Sequence, residues 1–348
     1  MMAPRYKLAI AAACILILTA IPLLSGLNDD LFDAVANGDY GKFRSLLDAG
    51  ADVNAKDSEN RSILMQALRV GETSMAVLAV ERGADVNSND KAGSTPLMIA
   101  AFDDLPEMAA LLLEKKADVN ARDSMGYTPL MWASSENSSI TAGLLIRKGA
   151  TVNEKNNSSD TALMLAAGKG NVETATVLLS LGADINARNN RENTPLTIAA
   201  AGGSAAIVKI LISKGADINA KNRYGETALM IASQGGYADM VKLLLKNGAD
   251  VNGADKNGIT ALMSTAGRCD TFTMKAILKK DAAVDAVDNN GFTALMMAAK
   301  AGCVQTVKLL LRKGADVSLK NTHGTTAMDE ASLAGYTDIV KILKSAKK

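Results

Sequence analysis

The stretch "NRYGETALMIASQGGYADMVKLLLKNGADVNGA", residues 222–254, contains the pattern that decides the fold. Thr227 precedes a short apolar run, and its hydroxyl suits a helix N-cap because it accepts a bond from an otherwise unpaired backbone N–H. Gly235 predicts the end of that helix, since glycine accepts left-handed geometry. Apolar residues at 240–245 are interrupted by Lys242 at helical spacing, which predicts a second, amphipathic helix. The stretch therefore reads as two antiparallel helices followed by a turn.

The same unit returns every 33 residues along the chain. "TALM" occurs four times and "TPLM" twice, and the threonine of this motif stands at 95, 128, 161, 194, 227, 260 and 293. "GAD" begins at 50, 83, 182, 215, 248 and 314, with variant copies at 116, 149 and 281. A fixed period between 20 and 50 residues is the signature of stacked repeats.

Methionine follows the leucine of this motif in most copies, at 65, 98, 131, 164, 230, 263 and 296, with Thr197 and Asp329 as exceptions. A ladder of thioethers for copper(I) is one interpretation, because soft ligands select that ion. Neighbouring helices pack about 8–10 Å apart, which is too far for their sulfurs to share a metal. We therefore interpret these methionines as core and expect no metal and no cofactor.

The stretches "GSTPLMIAA" at 93–101 and "VKLLLRKGADV" at 307–317 resemble the ankyrin repeat. The resemblance implies an α-solenoid, a stack of paired antiparallel helices with β-hairpin or turn tips and a cap at both ends. It covers residues 28–348 as one repeat domain, with an N-terminal half-repeat at 28–56 and a truncated last repeat at 321–348. The remaining repeats start at 57, 90, 123, 156, 189, 222, 255 and 288.

The first 26 residues differ from the rest. Arg5 and Lys7 precede an uncharged apolar run at 8–24, followed by Ser25 and Gly26. This order is typical of an export signal peptide, and the length of the run also suits a retained membrane anchor. We expect an exported protein, with the periplasm as the favoured compartment; anchoring in the inner membrane and secretion remain alternatives.

The charge balance and the histidine content argue against several classes of function. Lys and Arg total 38 against 37 Asp and Glu, with no evident basic stripe, so no nucleic-acid partner is expected. Contact with a membrane is expected only through 8–24. A single histidine, His323, rules out a histidine zinc cluster, and neither a P-loop nor a dinucleotide-binding glycine motif is present. We therefore expect no enzymatic activity.

Two repeats depart from the pattern. Asp104 and Lys116 replace the glycines that end the two helices of the repeat at 90–122, and Cys269 and Asp281 replace those of the repeat at 255–287. These changes reflect tolerated drift or a local soft point in the stack.

Cys269 and Cys303 follow the first helix in neighbouring repeats. A disulfide needs Cα atoms within about 7 Å, whereas repeats stack about 10 Å apart; we predict two free thiols, with a disulfide as the alternative.

The ankyrin resemblance also implies where a partner binds. In that family, hairpin tips and first helices line a concave groove for other proteins. The second, third, fifth, thirteenth and fourteenth positions of each repeat should face it. Large side chains at these positions are the candidate protein-binding residues: Phe102, Met125, Tyr127, Arg191, Arg223, Tyr224, Ile259 and Phe292.

Trp132 falls at an apolar position within its helix, and we predict that it belongs to the core. The sequence thus predicts a monomeric, exported interaction or scaffold protein. A secreted effector that acts on a host protein and a membrane-anchored scaffold are the alternatives.

Overall fold

The computed structural model of the chain describes residues 26–346. The predicted signal or anchor at 1–26 lies outside the described residues, apart from Gly26. The chain divides into two compact units, Met1–Asn157 and Ser158–Lys348, which we call the N-unit and the C-unit. Across 26–346 the regular elements are helices, and only isolated antiparallel bridges form at some tips, at Lys56–Ser62, Ala254–Thr260 and Val287–Thr293.

The N-unit begins with helical residues 26–36, which pair with a second helix to form the first half-repeat. Its other first helices are Ile63–Arg69, Pro96–Phe102 and Pro129–Ser135. Its second helices are Tyr40–Asp48, Thr73–Glu81, Pro106–Glu114 and Ser139–Arg147.

The C-unit contains six further helix pairs. Its first helices are Ala162–Lys169, Pro195–Ala201, Ala228–Gly235, Ala261–Gly267, Ala294–Lys300 and Ala327–Leu333. Its second helices are Val172–Ser180, Ala205–Ser213, Ala238–Lys246, Thr271–Ile277, Val304–Arg312 and Thr337–Ala346. In each unit a helix contacts its partner in the same repeat and its equivalents in the neighbouring repeats, which is a stacked-repeat fold.

The recurring threonine starts each first helix, as the sequence predicts. Thr95 Oγ1, for example, accepts a hydrogen bond from the Met98 backbone N–H at 3.3 Å, and Pro96 occupies the first helical position. Ser62 replaces the threonine in the repeat at 57 and caps its helix in the same way. The methionines that follow are at most 2% exposed, which confirms their assignment to the core.

Asparagine side chains join neighbouring repeats after the second helix. Asn219 Oδ1 accepts a hydrogen bond from the Asp250 backbone N–H at 2.8 Å, and its amide donates to the Gly248 carbonyl at 3.4 Å. Asn87 makes the equivalent pair of bonds to the next repeat, at 2.8 and 3.1 Å. The final residue of the "GADVN" motif is therefore a structural link between repeats.

The first residue of each repeat organises the tip. Asp90 Oδ1 accepts hydrogen bonds from the backbone N–H groups of Ala92 and Ser94, both at 2.9 Å. The Lys91 N–H donates to the carbonyl of Glu59 in the preceding tip at 3.1 Å. Each tip is thus a turn held by its own carboxylate or amide and bonded to its neighbour.

The non-glycine residues at the helix ends keep the geometry that glycine has in sister repeats. Asp104, Lys116, Cys269 and Asp281 have φ values of 50°, 69°, 59° and 53°. Left-handed backbone costs an L-residue about 1–2 kcal/mol. These two repeats therefore keep the fold of their neighbours and carry local backbone strain at these four positions.

Cys269 and Cys303 form a disulfide with a Cα–Cα distance of 5.0 Å, so the prediction of two free thiols is wrong. The estimate of about 10 Å applies to positions one repeat apart. These two cysteines are 34 residues apart, one more than the repeat, because Cys269 lies two residues after a first helix whereas Cys303 directly precedes a second helix. That offset, at a connection between helices, brings their Cα atoms within bonding range.

We expect Lys116→Gly to stabilise the N-unit by about 0.5–1 kcal/mol, because glycine removes the left-handed strain at some cost in chain entropy. Urea unfolding followed by the fluorescence of the single tryptophan, Trp132, reports on this unit. The matched control is Lys115→Gly, where φ is −83° and glycine should destabilise. A lower unfolding midpoint for Lys116→Gly than for the wild type would contradict the strain.

The disulfide predicts one cross-linked peptide in a tryptic digest made without reductant. The peptide "CDTFTMK", residues 269–275, should be joined to "AGCVQTVK", residues 301–308. Reduction should separate them and destabilise the C-unit by about 3–4 kcal/mol on the loop-entropy estimate. Recovery of both peptides alkylated, without prior reduction, would show that the bond is absent.

Candidate functional site

Three aromatic side chains of the N-unit meet on the side formed by its tips and first helices. Trp132 lies in the first helix of the repeat at 123 and is half-buried, so the prediction that it belongs to the core is wrong. It occupies the tenth position of its repeat, and the side chain at that position is half-buried in most other copies as well. This position follows the buried methionine directly and lies at the border between the core and the open face of the helix.

Trp132 packs against two of the predicted site residues. Its ring centroid lies 5.7 Å from that of Phe102 in an edge-on arrangement, and 5.1 Å from that of Tyr127. Phe102 belongs to the preceding repeat and is 44% exposed, while Tyr127 is half-buried. Three rings from two repeats thus form one cluster, which we call the aromatic cluster.

Hydrogen bonds at the tip fix the orientation of the tryptophan. Its Nε1–H donates to Asp123 Oδ2 at 3.1 Å. The other oxygen of Asp123 accepts the backbone N–H groups of Met125 and Tyr127, at 2.9 and 2.8 Å. Asp123 is buried and therefore couples the indole to the turn that carries Tyr127. The cluster is preorganised by the same carboxylate that shapes the tip.

A pocket of about 290 Å³ lies beside Phe102 and Trp132. Its other lining residues are Arg69, Ser94, Met98, Ile99 and Asp103. The walls are thus mostly apolar and aromatic, and one arginine and one carboxylate supply opposite charges. A pocket of this kind suits one inserted side chain of a partner better than a cofactor.

Burial raises the pKa of the Asp103 carboxyl, and the positive charge of Arg69 partly opposes this effect. Asp103 directly follows Phe102, the last residue of the first helix Pro96–Phe102. The side chain is still exposed, so solvent screens the resulting penalty on its ionised form.

The other predicted residues lie apart from this cluster. Met125 is exposed at the tip of its repeat, and Arg191, Arg223 and Tyr224 are exposed at tips of the C-unit. Tyr224 is 56% exposed. These four residues keep the exposure that their positions predict, and their role in binding stays a prediction.

Ile259 and Phe292 are half-buried, like Tyr127, rather than exposed. All three occupy the fifth position, whose backbone N–H bonds to the first residue of the repeat, as in Phe292 to Asp288 at 2.8 Å. This bond draws the fifth residue in against the helix. Lys300 Nζ also covers the Phe292 ring, 5.1 Å from its centroid.

Of the seven residues that line the pocket, only Phe102 is among the residues predicted from the sequence. Arg69 and Asp103 occupy the thirteenth and fourteenth positions of their repeats, so the positional rule used for Phe102 includes them. The candidate residues named from that rule do not include Arg69 and Asp103. Trp132 lies outside the positions that the rule covers, and the apolar residues beside it in the sequence predict burial.

Within 26–346, no group of three or more His, Cys, Asp and Glu side chains is placed to hold a metal ion. His323 is exposed at the tip of the last repeat, and its backbone N–H bonds to Asn321. No helix in that range combines the length and the apolar character needed to cross a membrane.

Comparison with protein families identifies the repeat. A family model described as "Ankyrin repeats (3 copies)" matches residues 31–123, 122–189, 181–255 and 251–321. The matches together cover most of the described residues of both units. Among curated proteins, no sequence matches the chain significantly.

Asp103→Asn should stabilise the N-unit at pH 7. The raised pKa means that the ionised carboxyl disfavours folding above the folded-state pKa, and that this penalty vanishes below the ordinary Asp value of about 3.9. Urea unfolding of the variant and the wild type should therefore differ at pH 7 and converge near pH 3. Glu114→Gln, on the exposed face of a second helix, is the control for the change in net charge. A gain of equal size at both pH values would contradict the assignment.

Proposed function

This chain belongs to the ankyrin repeat family, and from that premise we propose that it is an interaction protein whose N-unit binds a protein partner at the aromatic cluster and its pocket. Ankyrin repeats are general protein-interaction modules. The finer proposal is that binding occurs on the tip and first-helix side, the side that the family resemblance implies is concave. The single observation that carries it is the contact of Phe102 and Tyr127 with Trp132 beside an open pocket.

Composition strengthens this choice of site. Only 3% of the chain is aromatic, yet three of these residues meet at one place on the surface of the N-unit. Scattered single aromatics on a surface carry no functional information. A group of them around a pocket, with an arginine at its edge, has the composition of an interface hot spot. The partner residue that enters the pocket would be buried between the rings and the Arg69 and Asp103 side chains.

The proposal does not include catalysis. The family is typically non-enzymatic, and the single histidine, His323, lies exposed at a tip. A scaffold or adaptor needs only the binding face. A broad activity screen on the purified protein tests this part of the proposal.

We also propose that the repeats work in an oxidising compartment outside the cytoplasm. The basic and apolar start of the sequence and the Cys269–Cys303 disulfide are two independent observations that favour this. The periplasm is the favoured location, and secretion towards a host protein is the alternative. N-terminal sequencing of the protein from its native host tests the proposal, because an intact Met1 in the membrane fraction indicates an anchor.

Tyr127→Ala and Phe102→Ala should each weaken partner binding by about 2 kcal/mol, roughly 30-fold in Kd, if these rings form a hot spot. The partner is first isolated by pull-down from the native compartment and then titrated with each variant. Circular dichroism should show an intact fold, since Phe102 is exposed and Tyr127 is only half-buried.

Ile140→Ala is the matched control, because Ile140 is a large apolar side chain, 65% exposed on a second helix of the same unit. It should bind like the wild type. If the control loses binding and the two ring variants keep it, the proposed face is wrong. Tyr224→Ala, tested in the same titration, reports whether the interface includes a tip of the C-unit.

A further inference from the structure

The last five of the six second helices of the C-unit present a strongly basic face. In the five ten-residue segments 205–214, 238–247, 271–280, 304–313 and 337–346 there are eleven lysines and one arginine against two aspartates. All twelve basic residues are exposed. The five helices of these segments contact one another in sequence order, so the charges share one face. The near-neutral charge of the whole chain conceals this concentration.

One row of this face repeats with the period of the fold. Lysine occupies the same position in five consecutive second helices, at 209, 242, 275, 308 and 341. Because repeats stack about 10 Å apart, the row extends over roughly 40 Å. The equivalent position of the N-unit carries a cation only at Arg44, with Val77, Ala110 and Gly143 in the other copies. The basic face is therefore a property of repeats in the C-unit.

A groove of about 460 Å³ crosses this face between the second helices of the repeats at 222 and 255. Leu245, Phe272 and Ala276 supply its apolar lining, and lysines surround it. Phe272 is 60% exposed, and Lys242 Nζ lies 4.5 Å from the centroid of its ring. An aromatic ring thus stands exposed at the centre of a basic surface.

Most of these lysines are available to an outside anion. Lys242 pairs with Asp239 at 2.8 Å. Within residues 26–346, none of Lys246, Lys275, Lys279 and Lys280 lies within ion-pair distance of a carboxylate. Like charges held this close repel one another, and a negatively charged partner relieves that repulsion.

We propose that this basic face, with Phe272 at its centre, binds the surface of an anionic lipid bilayer. Lysine is a compact point charge without the planar fork of arginine, so it suits a diffuse layer of anionic headgroups. The exposed ring supplies the apolar group that enters the headgroup boundary. From the sequence we expected membrane contact only through residues 8–24, so this surface is a second and independent one.

Other anionic partners fit the surface less well. Protein interfaces are enriched in arginine and depleted of lysine, whereas this face has eleven lysines to one arginine. Nucleic-acid recognition also relies on arginine for bidentate contacts to phosphate and bases. A broad face with a single protruding ring therefore favours a bilayer over an acidic protein or a nucleic acid.

The test is flotation of the purified full chain with vesicles of phosphatidylcholine alone or mixed with phosphatidylglycerol. Residues 8–24, where retained, contribute binding to both compositions, so the increment due to the anionic lipid reports on the basic face. That increment should fall as salt screens the charges, between about 0.05 and 0.5 M NaCl. Lys275→Gln/Lys279→Gln/Lys280→Gln should lower it by about 100-fold, from about fivefold for each charge.

The matched control is Lys56→Gln/Lys91→Gln/Lys221→Gln, which removes three exposed lysines from positions between helix pairs. It should keep the anionic increment. Phe272→Ala should reduce the increment without changing its salt dependence. Phe272→Trp should show a blue-shifted emission on anionic vesicles relative to the background of Trp132.

Equal binding to both vesicle compositions, or wild-type binding by the triple variant of the basic face, would overturn the proposal. So would binding to poly-glutamate or to duplex DNA at the same salt without flotation on anionic vesicles, which would assign the face to an acidic protein or a nucleic acid. Loss of pull-down by the ring variants at Phe102 and Tyr127 does not bear on this result, since those residues belong to the N-unit.

Discussion

The fold depends on packing between repeats, because a single repeat cannot bury its own apolar surface. A pair of helices of about ten residues or fewer cannot bury its apolar faces alone, so each pair requires at least one neighbouring pair. The asparagine after the second helix determines how neighbouring pairs align. Asn219 bonds to both the Asp250 N–H and the Gly248 carbonyl of the next repeat, where slippage by one residue would break both bonds. Apolar burial therefore drives stacking, and the asparagine bonds fix its register.

The sequence predicts the fold well because the controlling interactions are local and repeated. The hydroxyl of Thr95 and the ring of Pro96 act within one turn of the chain, so their roles follow from sequence position alone. The disulfide was missed for a different reason. Cys269 and Cys303 are not equivalent positions, and a spacing estimated between equivalent positions does not apply to them. The bonding role of Asn219 was missed too, because hydrogen bonds between repeats have no signal beyond periodicity.

The candidate site was predicted only in part. Counting positions within the repeat places Phe102 on the open face and would also place Arg69 and Asp103 there. It does not show that Trp132 joins Phe102 to Tyr127, since this depends on side-chain directions in two repeats. The basic face of the C-unit has a different limit for sequence reasoning. Its lysines are evident in the sequence, but the near-zero net charge of the whole chain conceals them unless the charges of the second helices are counted separately from those of the tips.

A repeat scaffold separates the residues that build the fold from those that remain available for binding. The core threonine, leucine and methionine positions and the bonding asparagine are used in nearly every copy, so they carry little information that distinguishes one repeat from another. The remaining positions lie either on the tips and first helices or on the second helices. The aromatic cluster lies on tips and first helices, and the lysine row lies on second helices. The aromatic cluster lies in the repeats at 90 and 123, whereas the lysine row begins in the repeat at 189. Because contacts in such a stack are made between neighbouring repeats, a change at one surface has little physical route to the other. Two binding surfaces of different chemistry are therefore compatible with one repeating core.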